Sequence, residues 1–141
     1  MSAGTSLSLA DIQQAFDDSP YIASLGMRAL AQDLESGELT VRIVWQAHFA
    51  RVAGSRQWHG GPLAAIIDTV GDYALAQQLG RGLPTINFRI DYLRPAIDTD
   101  LTAIARVRRN GRTVGVADVD LFDDQQRLVA TGRASYATLS A

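Results

Sequence analysis

The longest helical pattern in the sequence lies in residues 59–80, HGGPLAAIIDTVGDYALAQQLG. Two glycines and a proline open it, as is typical where a loop turns into a helix, and Gly80 is a typical helix terminator. Most positions between are apolar, which predicts a long helix buried on most of its sides. The apolar stripe recurs at helical spacing and comprises Leu63, Ile66, Ile67, Val70 and Ala74.

Two carboxylates interrupt this apolar helix. At about 100° per residue, Asp68 and Asp72 fall opposite the apolar stripe, beside Ala64, Ala65 and Gly71. An ionised carboxylate in a buried helix must be solvated, paired or used chemically, because its uncompensated burial is expensive. The pattern leaves two alternatives open: a face that meets water, or a site that uses an acid.

Before this helix, the pattern predicts short helices and a hairpin. Residues 8–16 are predicted to form a helix with Ser8 as its N-cap, followed by a helical turn that starts at Ser19-Pro20. Residues 27–34 and 39–45 are predicted as two strands, because a polar turn separates them and the second alternates apolar and polar positions.

After the helix, alternation predicts further strands. In residues 85–92, the alternation puts Thr85 on the face opposite Ile86, Phe88, Ile90 and Tyr92. The remaining predicted strands are residues 102–109, 113–122 and 128–137, with Asn110-Gly111 as a hairpin turn. In residues 113–122 the apolar phase shifts near Val116-Ala117, which suits either a bulge or burial on both faces.

This order of elements predicts an α+β fold in which one antiparallel sheet wraps the long central helix. We expect residues 1–141 to form one domain, with residues 1–24 as an N-terminal helical segment within it. The remaining apolar sheet face and the edge strands favour a homodimer.

Composition narrows the chemistry. The chain has 141 residues, 47% of them hydrophobic, which suits a single core. All thirteen basic residues are arginine, which excludes Schiff-base and P-loop lysines. The absence of cysteine and the presence of only His48 and His59 argue against thiol chemistry and a metal site. A net charge of −2 argues against nucleic acid, and without a signal pattern or membrane-spanning run we expect a cytoplasmic protein with no membrane contact.

The HGG motif at residues 59–61, the acid nine positions after its histidine, and the strand TINFRIDYLRP at residues 85–95 resemble hotdog-fold acyl-CoA thioesterases. The match is to the phenylacetic-acid-pathway-like (PaaI-like) group and covers roughly residues 25–136. The resemblance implies that a sheet of five or six strands wraps the helix. It also implies a homodimer with sheets side by side and shared active sites, and in many members a tetramer.

Carried over by position, the resemblance assigns roles to four residues. The Gly60 N–H would bind the thioester oxygen, Asp68 would be the nucleophile or general base, Thr85 would orient the acid or the water, and His59 would order the loop. A helix N-terminus can stabilise an oxyanion, which agrees with this assignment. Each residue also has a structural explanation, and Asp72 is taken as structural, a solvated or paired carboxylate. No cofactor is implied, because coenzyme A is part of the substrate.

Other residues are candidates for substrate binding. Gly61, Trp58 and Tyr73 would line the thioester and acyl site, and a set of arginines would bind the phosphates of coenzyme A: Arg94, Arg108, Arg109 and Arg112.

One position departs from the family pattern, because Ala53 replaces an asparagine found in several relatives and Gln57 is a candidate substitute. Two other functions stay open: a non-catalytic acyl-CoA binding or sensing domain, and a hotdog hydratase or dehydratase.

Overall fold

One sheet of six antiparallel strands and a long helix make up the fold in the computed structural model, which describes residues 4–140. The rest of the predicted domain, residues 1–3 and 141, lies outside the described residues. The strand order is β1-β2-β4-β5-β6-β3. The elements are α1 (Leu9–Asp18), α2 (Pro20–Leu25), β1 (Met27–Asp33), β2 (Glu38–Ile43), α3 (Gly60–Leu79), β3 (Thr85–Tyr92), β4 (Leu101–Asn110), β5 (Val114–Phe122) and β6 (Leu128–Ala137).

The predicted helix starts are confirmed by their caps. Ser8 and Asp11 form a reciprocal capping box at the start of α1, with the Ser8 N–H donating to the Asp11 carboxylate at 2.8 Å. Pro20 opens α2, and Gly80 ends α3 in the left-handed conformation. Within residues 4–140, no helix combines the length and the apolar character needed to cross a membrane.

Helix α3 packs its apolar stripe against the inner face of the sheet, as predicted. Ile66, Ile67, Val70 and Ala74 are fully buried and form the centre of the core. The helix approaches the sheet closely at Gly71, where any side chain would collide with the Tyr136 hydroxyl. The tight contact holds the acidic face of α3 at a fixed position beside β6 and β3.

Strand β3 is an edge strand, and a bulge near its start changes which residues face the helix. Thr85 pairs with Tyr136, whereas Asn87 pairs with Ser135, so Ile86 is the extra residue. Tyr136 is buried and bonded to α3, which places Thr85 on the helix side of the sheet. The prediction that Thr85 lies on the face opposite Phe88, Ile90 and Tyr92 is therefore wrong.

The irregularity predicted near Val116-Ala117 is present, but the extra residue lies on the neighbouring strand. Val107 pairs with Ala117 and Arg109 with Val116, so the bulged residue belongs to β4. Strand β5 itself keeps a regular alternation of buried and partly buried positions.

Candidate active site

Two side chains form hydrogen bonds with the first turn of α3. His59 is the N-cap, and its Nδ1 accepts the Gly61 N–H at 3.0 Å. The Tyr92 hydroxyl, at the end of β3, donates to the Gly60 carbonyl at 2.8 Å. The N–H of Gly60 has no partner within the helix, because the first N–H groups of a helix never do. It can therefore donate to an external oxygen, and the helix dipole favours a negative one.

The candidate acid, Asp68, accepts a hydrogen bond from Thr85. The Thr85 hydroxyl donates to the Asp68 carboxylate at 2.7 Å, and the Tyr136 hydroxyl donates to the Asp68 main-chain carbonyl at 2.6 Å. One carboxylate oxygen is thus fixed by β3, while the half-buried side chain keeps the other available. The structure brings together the acid and the hydroxyl that the sequence predicted as partners.

Gly60 and Asp68 of one chain are too far apart to act on the same thioester. They are eight positions apart on one helix, which corresponds to about 12 Å along its axis. Their partners on β3, Tyr92 and Thr85, lie at opposite ends of that strand, about 23 Å apart. Within one chain, the Gly60–Tyr92 pair and the Asp68–Thr85 pair therefore lie at two separate places.

Asp72, which the sequence predicted to be a structural carboxylate that is solvated or paired, accepts a hydrogen bond from the backbone. It is half-buried, and its carboxylate accepts the Leu83 N–H at 2.8 Å. Burial raises the pKa of Asp72 to about 7; the Leu83 N–H opposes this shift, and the charge of Asp68 adds to it. Burial also raises the pKa of the neighbouring Tyr73 hydroxyl. The hydrogen bond from the Leu83 N–H to the Asp72 carboxylate therefore fixes the loop before β3 to the helix.

A pocket of about 540 Å³ opens at the N-terminus of α3. It contains three of the predicted binding residues, Gly61, Trp58 and Arg94, together with His59 and Gly60. Trp58 is almost fully buried, and its indole N–H donates to the Thr99 carbonyl at 2.9 Å. It therefore forms a rigid part of the wall.

The remaining predicted binding residues lie elsewhere in the chain. Tyr73 packs edge-on against Phe16 with ring centroids 5.1 Å apart, within the core. Arg108 lies on the outer face of the sheet and forms an ion pair with Asp118 at 2.7 Å. Arg109 and Arg112 belong to the β4–β5 hairpin, where Asn110 binds Gln78 near the C-terminus of α3. The structure therefore does not bring these arginines to the pocket within one chain.

The sequence did not predict two of the residues that line this pocket. Tyr92 lines the pocket and binds Gly60, but its periodicity identified it only as a strand residue. Arg51 lines the pocket from a loop without periodicity, so the sequence carried no signal for it. Gln57, the candidate substitute for the missing asparagine, also lines the pocket, whereas Ala53 is exposed. Among residues 4–140, no group of three or more possible ligand side chains is arranged to hold a metal ion.

The sheet wrapped around one central helix is the hotdog fold, and comparison with known proteins assigns the family. The family model of the thioesterase superfamily matches residues 57–130. The chain is 31% identical over 119 residues to acyl-coenzyme A thioesterase PaaI of Escherichia coli K12, covering 84% of this chain and 81% of that protein. It is 30% identical over 136 residues to medium/long-chain acyl-CoA thioesterase YigI of the same strain, covering 77% and 82%.

Solved structures agree with this assignment. A crystal structure of a thioesterase-superfamily protein aligns with a TM-score of 0.85 and 32% identity, covering 92% of this chain and 96% of that one. The structure of E. coli PaaI aligns with a TM-score of 0.77 and 28% identity, covering 95% and 98%. The chain belongs to the thioesterase superfamily. It is a thioester hydrolase of the PaaI-like hotdog group.

Proposed function

We propose that this protein hydrolyses acyl-CoA thioesters to a free acid and coenzyme A in a homodimer with shared active sites. The names of the relatives PaaI and YigI support the substrate class. The observation that carries the proposal is the separation of the Gly60–Tyr92 and Asp68–Thr85 pairs at the two ends of an edge strand. In a dimer, the second copy can place its Asp68 near Gly60 of the first copy and its Gly60 near Asp68 of the first copy.

The free edge of β3 supports such a dimer. Ile86, Phe88 and Tyr92 are 55%, 41% and 56% exposed on this strand, which is unusual for large apolar side chains on a sheet edge without a partner. Antiparallel pairing of β3 with a second β3, about a two-fold axis near the middle of the strand, would bring the Thr85 end of one strand to the Tyr92 end of the other. Asp68 would then approach Gly60 of the partner subunit.

In the proposed reaction, the Gly60 N–H binds the thioester carbonyl oxygen and stabilises the oxyanion that forms on it. Asp68 acts either as a general base or as the nucleophile. As a base, it takes a proton from water while the water oxygen bonds to the carbonyl carbon; the carbon–sulfur bond then breaks and the thiolate of coenzyme A leaves. As a nucleophile, its carboxylate oxygen bonds to the carbonyl carbon, the carbon–sulfur bond breaks and the thiolate leaves, and water then hydrolyses the resulting anhydride. Thr85 holds one oxygen of Asp68, and no cofactor is needed.

The test is release of free thiol from a panel of short, medium, long-chain and aromatic acyl-CoAs. We expect Asp68→Asn to lose at least about 10²-fold in kcat while still binding acyl-CoA. Asp72→Asn, the same change one helical turn away, is the matched control and should retain turnover. If wild type binds acyl-CoA but releases no thiol, the protein is the binding domain that the sequence left open. Hydration of an enoyl-CoA without thiol release would instead identify a hydratase.

The tetramer is a further part of this proposal. The PaaI-like resemblance supports the pairing of dimers, and light scattering on the purified protein tests it. A mass equal to two chains would agree with the shared active site of a dimer but would exclude a tetramer. A cytoplasmic location also stays a prediction, which fractionation of the source cells would test.

A further inference from the structure

We propose that Arg51 and Arg94 together bind the phosphates of coenzyme A, and that this pair makes the enzyme selective for coenzyme A thioesters over thioesters on a carrier protein. The inference rests on the proposed function and adds the part of the substrate that decides its selectivity. Both side chains line the pocket that contains Gly60.

Backbone bonds fix the two segments that carry these arginines. The loop of Arg51 folds back on itself, with the Arg51 N–H donating to the Gln57 carbonyl at 2.9 Å. The same loop is joined to the segment after β3, because the Trp58 N–H donates to the Ala96 carbonyl at 3.0 Å. Arg94 is held in turn by its N–H, which donates to the Val129 carbonyl at 3.1 Å. The two arginines therefore stand on two connected walls of one pocket.

The charges in this pocket are unbalanced. Arg51 and Arg94 are exposed, and among residues 4–140 neither guanidinium has an acidic or other hydrogen-bond partner. None of the residues that line the pocket is acidic. The N-terminus of α3 adds partial positive charge to the same space. The pocket is therefore suited to a ligand with several negative charges.

A second arginine-rich groove, on the outer face of the sheet, differs in this respect. Its four arginines lie among acids that neutralise them: Arg133 and Arg108 both bind Asp118, at 2.6 and 2.7 Å. Arg106 reaches Glu38 at 3.1 Å. These guanidiniums already have partners, whereas those of Arg51 and Arg94 in the pocket at α3 have none among residues 4–140.

The chemistry of the two possible carriers explains the selectivity. Coenzyme A has a diphosphate and a 3′-phosphate beyond its pantetheine arm, whereas a carrier-protein thioester has a single phosphodiester. Arginine binds phosphate through paired N–H groups, so two arginines can engage more than one phosphate of coenzyme A. The apolar wall of Trp58, Leu93 and Pro95 suits the less polar arm between phosphate and thioester.

The experiment compares the binding of coenzyme A, 3′-dephospho-coenzyme A and pantetheine by calorimetry, without turnover. Arg51→Ala and Arg94→Ala should each weaken coenzyme A binding about tenfold or more, and leave pantetheine binding unchanged. Arg28→Ala, which removes an exposed arginine of β1 at the opposite edge of the sheet, is the matched control and should bind like wild type. Arg51→Lys should restore part of the affinity.

Kinetics separates this proposal from the proposed function. With an acyl-CoA substrate, the two alanine variants should raise KM and leave kcat nearly unchanged. If they bind coenzyme A as wild type does, or weaken pantetheine equally, the phosphate anchor is refuted. Equal hydrolysis of acyl-pantetheine and acyl-CoA by wild type would also refute the anchor while leaving the thioesterase. Absence of thiol release from every substrate would refute the proposed function, whatever the binding data show.

Discussion

Replacement of Asp72 with asparagine tests whether burial of this acid destabilises the protein at neutral and alkaline pH. The carboxylate accepts the Leu83 N–H at 2.8 Å, and a side-chain amide of the same size can accept the same bond through its oxygen. Asparagine therefore keeps the contact and removes only the charge. It imitates the protonated form of Asp72 at every pH.

The magnitude follows from the pKa of Asp72, which burial raises from 3.8 to about 7. Between these values the folded protein keeps a proton that the unfolded chain has released. The stability that this proton contributes is fully present below about pH 4 and is lost as pH rises through 7. At about 1.4 kcal/mol per pKa unit, the upper bound is about 4 kcal/mol. Because water reaches part of the side chain, we expect about 2 kcal/mol.

Urea denaturation at pH 3 and pH 8.5, at one fixed protein concentration, measures this effect. Asp72→Asn should be more stable than wild type by about 2 kcal/mol at pH 8.5 and nearly equal to it at pH 3, where the carboxyl group is protonated in both the folded and the unfolded chain. Asp17→Asn, which changes an exposed acid of α1, should follow wild type at both values. Parallel pH profiles for wild type and Asp72→Asn, or a less stable variant at pH 8.5, would refute the reasoning.

Three further predictions concern the site, the dimer and the core. Thr85→Val keeps the size of the side chain but removes the hydrogen bond from the hydroxyl to Asp68, so kcat should fall about tenfold or more. Thr85→Ser keeps the hydroxyl and should retain activity. An unchanged kcat in the valine variant would contradict the role of Thr85 in holding Asp68. Phe88→Asp should give monomers in light scattering, and these should be inactive. Leu30→Asp, on the opposite sheet edge, should stay dimeric. A dimeric Phe88→Asp variant would exclude pairing through β3. Gly71→Ala should lower the free energy of unfolding, measured by urea denaturation, by about 1–3 kcal/mol, because the added methyl group collides with the Tyr136 hydroxyl. Unchanged stability would show that the helix can move away from the sheet at little cost.

Local signals predicted most of the secondary structure. The apolar period, the flanking glycines and the Ser8 cap identified helices that the structure confirms. The Asn110-Gly111 turn and the alternation around it identified the β4–β5 hairpin. Such signals depend on residues close together in the chain, which is why strand and helix ends agree to within one or two positions.

The candidate site was predictable only in part. The motif residues His59, Gly60 and Asp68 were recognised because they recur as a pattern in a family. Arg51 was missed because its loop has no period, and its place in the pocket depends on backbone bonds to the segment after β3. The partners of Asp72 were also missed, because its burial depends on Leu83, a residue of the following loop.

The sequence by itself determined the central helix, its two acids and the sequence in which helices and strands follow one another along the chain, because periodicity and capping are properties of neighbouring residues. Only the tertiary structure decided which of these residues meet. The bulge at Ile86 turns Thr85 toward Asp68, against the simple alternation of the strand. The hydrogen bonds of Tyr92 to Gly60 and of Thr85 to Asp68 join the two ends of β3 to separate places on α3. These contacts connect residues that are far apart in the sequence, so no pattern along the chain encodes them.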